Sequence, residues 1–105
     1  MDTTLLRTTL TAALAEAATV ASAMKDEGTC CLDNPVLLGV AKSDATAVSA
    51  VFRSLGVRVR SGSGGWVFGM PGVNAQGWPR TAAAELVAKR LAEAGFTSTV
   101  HYIMD

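Results

Sequence analysis

Apolar side chains recur at alternating spacings of four and three through Leu6, Leu10, Ala13, Ala17, Val20 and Met24, and neither proline nor glycine interrupts the chain from Thr3 to about Lys25. The pattern predicts a helix capped by Asp2 or Thr3, with Lys25 at its negative end and Gly28 in the turn that stops it. Its stripe is built largely of small side chains, which permit close approach to a second helix, a sheet or another copy of the chain. Residues 27–35 have no period and many turn formers, so they read as a loop, too polar at Asp33 and Asn34 to be core. Val36 to Ala41 is a short apolar run that fits a buried strand. Ser43 then reads as an N-cap, and Val48, Val51, Phe52 and Leu55 mark one face of a second helix that stops at Gly56.

Alternation returns at Val57-Arg58-Val59-Arg60, which predicts a strand with one buried and one wet face. Ser61 to Gly65 supplies a reversal, and Trp66 to Met70 its partner strand, with Trp66 read as core. After a second loop, Pro71 to Trp78, Pro79 opens a helix running to Ala94. Leu86, Val87, Leu91 and Ala94 are read as inward, Glu85 and Lys89 as an i, i+4 pair, and Gly95 as the stop. Phe96 to Met104 alternates as a last strand. The order after the first helix is β-α-β-β-α-β, which predicts an α+β protein of the ferredoxin-like, split β-α-β class, as one domain with an N-terminal helix over residues 1–27 and a core over 36–105. The first helix is expected to cover an open face or edge, or to join two protomers.

Composition narrows the chemistry. Of 105 residues half are hydrophobic, but 18 are alanine, so large apolar side chains are concentrated in a few segments. Nine basic and nine acidic residues cancel, which argues against non-specific binding to nucleic acid or an anionic membrane. The charges are uneven: six of the basic residues lie after position 50, and six of the acidic ones before it. No apolar run reaches the length of a spanning helix, and the start of the chain lacks the order of a signal peptide, so a cytoplasmic location is expected. Cys30 and Cys31 are neighbours, which disfavours a structural disulfide, and with His101 as the one histidine they do not form a metal-binding pattern. A Cys–His–Asp arrangement can be written with Asp33, but nothing in the spacing supports it, and catalysis is the least supported class. No cofactor is expected.

Two glycine-bearing stretches remain. Gly62 to Gly65 precedes a strand and lacks the lysine of a phosphate loop, so a plain hairpin turn is the better reading. Asn74, Gln76 and Gly77 instead run into a helix start beside Arg80 and Thr81, where free amides and the positive dipole end suit an anion. Trp78 could stack on a ring, and Arg58 and Arg60 could add positive charge from the hairpin. The competing reading is that Trp78 and Pro79 only fix the helix entry while Arg80 is solvated.

The stretch Glu27-Gly28-Thr29-Cys30-Cys31-Leu32-Asp33-Asn34-Pro35, the run Arg80-Thr81-Ala82-Ala83-Ala84-Glu85-Leu86-Val87-Ala88-Lys89 and the ending Tyr102-Ile103-Met104-Asp105 resemble short proteins of tailed phages and prophages. The resemblance implies an accessory phage protein, a group in which inhibitors of host defence are common. It points to Thr29, Cys30, Asp33 and Asn34 of the first loop and to Arg80 and Thr81 of the second. It implies a binder that sequesters a nucleotide-type immune signal, with phosphate on amides and Arg80, the base against Trp78, and selectivity from Asp33, Asn34, Asn74 or Gln76. The alternatives are an inhibitor that docks on a host defence complex, as anti-CRISPR proteins do, or a structural or replication accessory protein without a ligand.

Overall fold

The computed structural model describes residues 1–24, 32–74 and 77–102. Helix α1 (Thr3–Ala23) is followed by β1 (Asn34–Leu37), a 3-10 turn at Lys42–Asp44, α2 (Ala45–Ser54), β2 (Val59–Gly62), β3 (Gly65–Phe68), α3 (Trp78–Glu93) and β4 (Ser98–His101). Asp2 caps α1, accepting from the Leu5 N–H at 2.9 Å. The expected end of α1 at Lys25 to Gly28 lies outside the described residues. Ser43 does not cap α2: it sits inside the 3-10 turn, and the helix begins after it without a side-chain cap.

The four strands form one antiparallel sheet in the order β2-β3-β1-β4. β2 and β3 meet at a two-residue turn, Ser63-Gly64, with both residues at positive φ (52° and 78°), the type I′ geometry that matches the twist of a hairpin. Gly65, which opens β3, is required by packing, since a Cβ there would lie 2.5 Å from the Leu37 carbonyl oxygen. The strands are shorter than, or shifted from, the expected runs. β1 starts at Asn34 and ends at Leu37, because Gly39 takes a positive φ of 71° where Val36 to Ala41 would have continued. β4 stops at His101 among the described residues, and its expected extension to Met104 lies partly outside them.

Alternation assigns the two sheet faces. Leu37, Phe68, Val59, Trp66 and Val100 point to the helices and join a core with Leu6, Leu10, Ala13, Leu14, Ala17, Ala21, Val48, Val51, Phe52, Val87 and Leu91. Phe52 is its hub, with ring centroids 4.9 Å from Phe68 and 6.3 Å from Trp66. Trp66 packs against this core as expected but is only half-buried: Phe52 covers one side and the other opens to the surface. The stripe of α1 also turns relative to expectation, with Leu14 and Ala21 buried, Val20 half-buried and Met24 exposed.

α1 is no appendage. It packs against both α3 and α2, and its apolar stripe is buried within the chain. The loop after β3 docks on it through Val73, and Gly72, at φ 84°, holds its backbone where a Cβ would lie 3.2 Å from the Ala18 methyl. In α3 the inward positions are Pro79, Ala83, Ala84, Val87 and Leu91, while Leu86 and Ala94 are only half-buried. The small Ala83 and Ala84 let α1 approach closely. Glu85 makes no ion pair with Lys89; it accepts from the Tyr102 hydroxyl at 3.4 Å.

Outside the core, α1 and α3 are joined by Arg90, whose Nε and Nη2 donate to both carboxylate oxygens of Glu16 at 3.0 and 2.9 Å, while Nη1 donates to Glu93 at 2.7 Å. The hydrogen bond from Arg90 lowers the Glu16 pKa below its ordinary 4.5. A depressed carboxylate pKa stabilises the fold above the unfolded-state value, and that contribution is lost as pH falls through the folded one. A carboxyl titration by NMR is therefore expected to place Glu16 below 4.5, and Arg90→Gln is expected to return it to the ordinary range. No downward shift in the native chain would contradict this reading.

Candidate functional site

Two loops far apart in sequence close on each other at the start of α3. Asp33, immediately before β1, is 3% exposed, a correction to the expectation that it is too polar for the interior. Its burial is compensated: the Thr81 hydroxyl donates to Asp33 Oδ2 at 2.6 Å, and Arg80 Nε donates to the Asp33 backbone carbonyl at 2.9 Å. Arg80 Nη2 reaches one residue further and donates to Asn34 Oδ1 at 2.6 Å.

This arrangement changes the role of the helix start. A carboxylate bound to a side chain in the first turn of α3 is the anion that the positive end of the dipole favours, and it is the chain's own Asp33. Pro79 in that turn has no N–H to offer a ligand. Asp33 and Thr81 thus tie the loop before β1 to the first turn of α3. Burial lowers the Arg80 pKa, and the charge of Asp33 opposes that shift.

The other arginines converge from the sheet. β2 pairs with β3 so that Arg60 stands opposite Val67, and Val67 opposite Val36, which places Arg58, Arg60 and Asn34 on the face turned away from the helices. There Asn34, Arg58, Arg60, Val67, Gly69 and Arg80 line a concavity of about 360 Å³. Its floor is apolar at Val67, which is 2% exposed although it lies outside the helical core. A hydrogen bond joins Ser63 at the hairpin tip to His101 Nδ1 on β4. Arg58 and Arg60 make no ion pair with any carboxylate among the described residues. Arg80 Nη1 likewise has no hydrogen-bond partner among them.

The remaining expected site residues lie apart. Asn74 borders a separate depression of about 260 Å³ with Ser22, Met24 and Gly72. Trp78 is 61% exposed and does not line the arginine concavity. Thr29, Cys30 and Gln76 lie outside the described residues. Sequence reasoning missed two larger concavities, about 440 and 490 Å³, which share Trp66 as a wall between α2 and the glycines of the hairpin. A tryptophan directly after a glycine turn was the available signal. These hollows hold a single cation, Arg53, whereas the smaller one gathers three guanidinium groups, so charge and not volume singles out the latter.

Among the described residues no group of three His, Cys, Asp or Glu side chains is placed to hold a metal ion, and no helix is long and apolar enough to cross a membrane. The chain matches no model of a known protein family, no curated protein and no solved structure.

Proposed function

We propose that the protein is a non-catalytic binder that sequesters a nucleotide-type ligand, with its phosphates on Arg58, Arg60 and Arg80. The observation that carries this reading is the convergence of three guanidinium groups from two separate parts of the chain on one concavity, two of them without a described carboxylate partner. Guanidinium groups recognise phosphate oxygens through paired hydrogen bonds, and the valine floor beneath them lowers the local dielectric. The fold assignment belongs to the same proposal. The order β2-β3-β1-β4, with β3 between the strands of the first β-α-β unit and β1 between those of the second, supports a split β-α-β, ferredoxin-like sandwich that has taken a third helix into its helical layer. The setting, a phage-type protein acting against host defence in the host cytoplasm, rests on the resemblance of the two loop-and-helix stretches.

A thermal-shift panel of cyclic and linear nucleotides tests the reading. A ligand at 100 times its dissociation constant adds about 2.7 kcal/mol, which for a domain of this size is a rise of roughly 10 to 20 °C. Arg58→Ala and Arg60→Ala are both at exposed positions and are expected to remove that rise while moving the ligand-free melting point little, within about 0.5 kcal/mol. A shift that survives both substitutions removes this concavity from the site. Recovery of the ligand unchanged is expected; a converted ligand would mean an enzyme. The second reading, a protein-binding inhibitor of a host complex, is favoured by Trp78 and Tyr102, large aromatic side chains 61% and 63% exposed. A null result across the panel, with a host protein lost from pull-downs on Trp78→Ala, would select it.

A further inference from the structure

Among the described residues the sheet ends at β2 on one side and at β4 on the other, and the two edges differ. The Thr97 carbonyl accepts from the Leu38 N–H at 2.9 Å, so the backbone groups of Thr97, Thr99 and His101 point to β1. By the alternation of an antiparallel ladder, the N–H and C=O groups of Ser98, Val100 and Tyr102 point outward. The Ser98 hydroxyl is turned the other way, onto the Val36 carbonyl at 2.8 Å, and leaves that outward row unobstructed. On β2 the Arg58 carbonyl accepts from the Gly69 N–H, so Val59 and Ser61 face outward there, flanked by the side chains of Arg58 and Arg60.

Natural edge strands are blunted by charge, proline or bulges. β2 has such a guard in its arginines, which would meet like charges in a second β2. From Thr97 to Tyr102 there is no Lys, Arg, Asp, Glu or Pro. The flank of α3 beside this edge, marked by the Tyr102–Glu85 hydrogen bond, carries Glu85 and Lys89, one charge of each sign. An uncharged row offers no counter-charge to an acidic or basic peptide, but it is complementary to itself.

We propose that two copies of the chain pair along β4, antiparallel and about a two-fold axis at Val100. In this register Val100 exchanges both backbone hydrogen bonds with the partner's Val100, and Ser98 does so with the partner's Tyr102. Thr99 lies opposite the partner's His101 on the face away from the helices. The half-buried Val100 side chain is covered by its own copy, and the two sheets become one. The arginine concavity, bounded by β2 and the start of α3, stays open in both copies.

The test is the mass of the full chain in solution by light scattering over a concentration series. Two-chain mass is expected for the native protein. Val100→Pro removes an N–H that points outward, where an edge strand tolerates proline, and is expected to halve the mass while keeping the folded circular-dichroism spectrum. Val100→Lys, which sets two lysines against each other at the axis, is expected to do the same. Thr99→Pro removes an N–H from the ladder with β1 and is expected to unfold the sheet. One-chain mass for the native protein at every concentration, two-chain mass retained by Val100→Pro and Val100→Lys, or open-ended polymers each overturn the proposal.

Discussion

Replacing Phe52 with alanine is expected to cost about 3 to 5 kcal/mol, because the ring is 1% exposed and its loss opens a cavity between α2 and the sheet. Against the roughly 5 to 15 kcal/mol that holds a domain of this size together, that is about a fifth of the whole or more. The melting temperature should fall by roughly 12 to 40 °C. Phe68 would lose its partner at 4.9 Å and Trp66 its partner at 6.3 Å, so the hairpin loosens with the helix. Thermal unfolding followed by circular dichroism measures this, with Leu5→Ala, at a site 41% exposed, as a control expected to stay within about 0.5 kcal/mol. A loss for Phe52→Ala no larger than the control's would show that the core is not centred on this ring.

The second large effect concerns the buried carboxylate. Asp33→Ala is expected to destabilise by about 1.5 to 3 kcal/mol, the range for a hydrogen bond to a charged group whose partner is left behind. Thr81 keeps its hydroxyl contact with the Gly77 carbonyl at 3.2 Å, but Arg80 loses the neighbouring charge that opposes the effect of its burial. Asp33→Asn, which keeps an acceptor in place, should lose less. Because Asp33 and Thr81 share one hydrogen bond at 2.6 Å, adding Thr81→Val to Asp33→Ala should cost little more than Asp33→Ala alone. Full additivity of the two in denaturant unfolding would contradict the arrangement. Asp33→Ala should also weaken any nucleotide-induced rise in melting point, since Arg80 is aimed by its bonds to this loop.

The helices were legible because their periods are long and their stops are marked by glycine, as at Leu55-Gly56 and Ala94-Gly95. The hairpin was legible because Ser63-Gly64 sits between alternating runs. The strands were located but misplaced at their ends, since a four-residue strand has little period to read and its limits depend on partners elsewhere in the chain. Pro35 is an example: it lacks the N–H that would face β3, and the β1–β3 ladder begins only at Val36. The association of Asp33 and Asn34 with Arg80 and Thr81 was suggested by resemblance, but its nature was not readable. A carboxylate before a strand and a threonine in a helix say nothing of burial until the sheet order brings them together. The same holds for Arg58 and Arg60, whose shared face follows from β2 register and whose company with Arg80 follows only from the tertiary fold.

The packing of α1 on α3 also fixes an order in time. Glu16 and Arg90 are 74 residues apart, so α1 is made well before its main packing partner, α3. At about 5 to 20 residues per second, translation separates them by roughly 4 to 15 s. In proteins most helical stability comes from packing of the apolar face, so during that interval the stripe from Leu6 to Ala21 lacks its main cover. The length of that interval is therefore set by the arrival of Ala83, Ala84 and Val87 in α3.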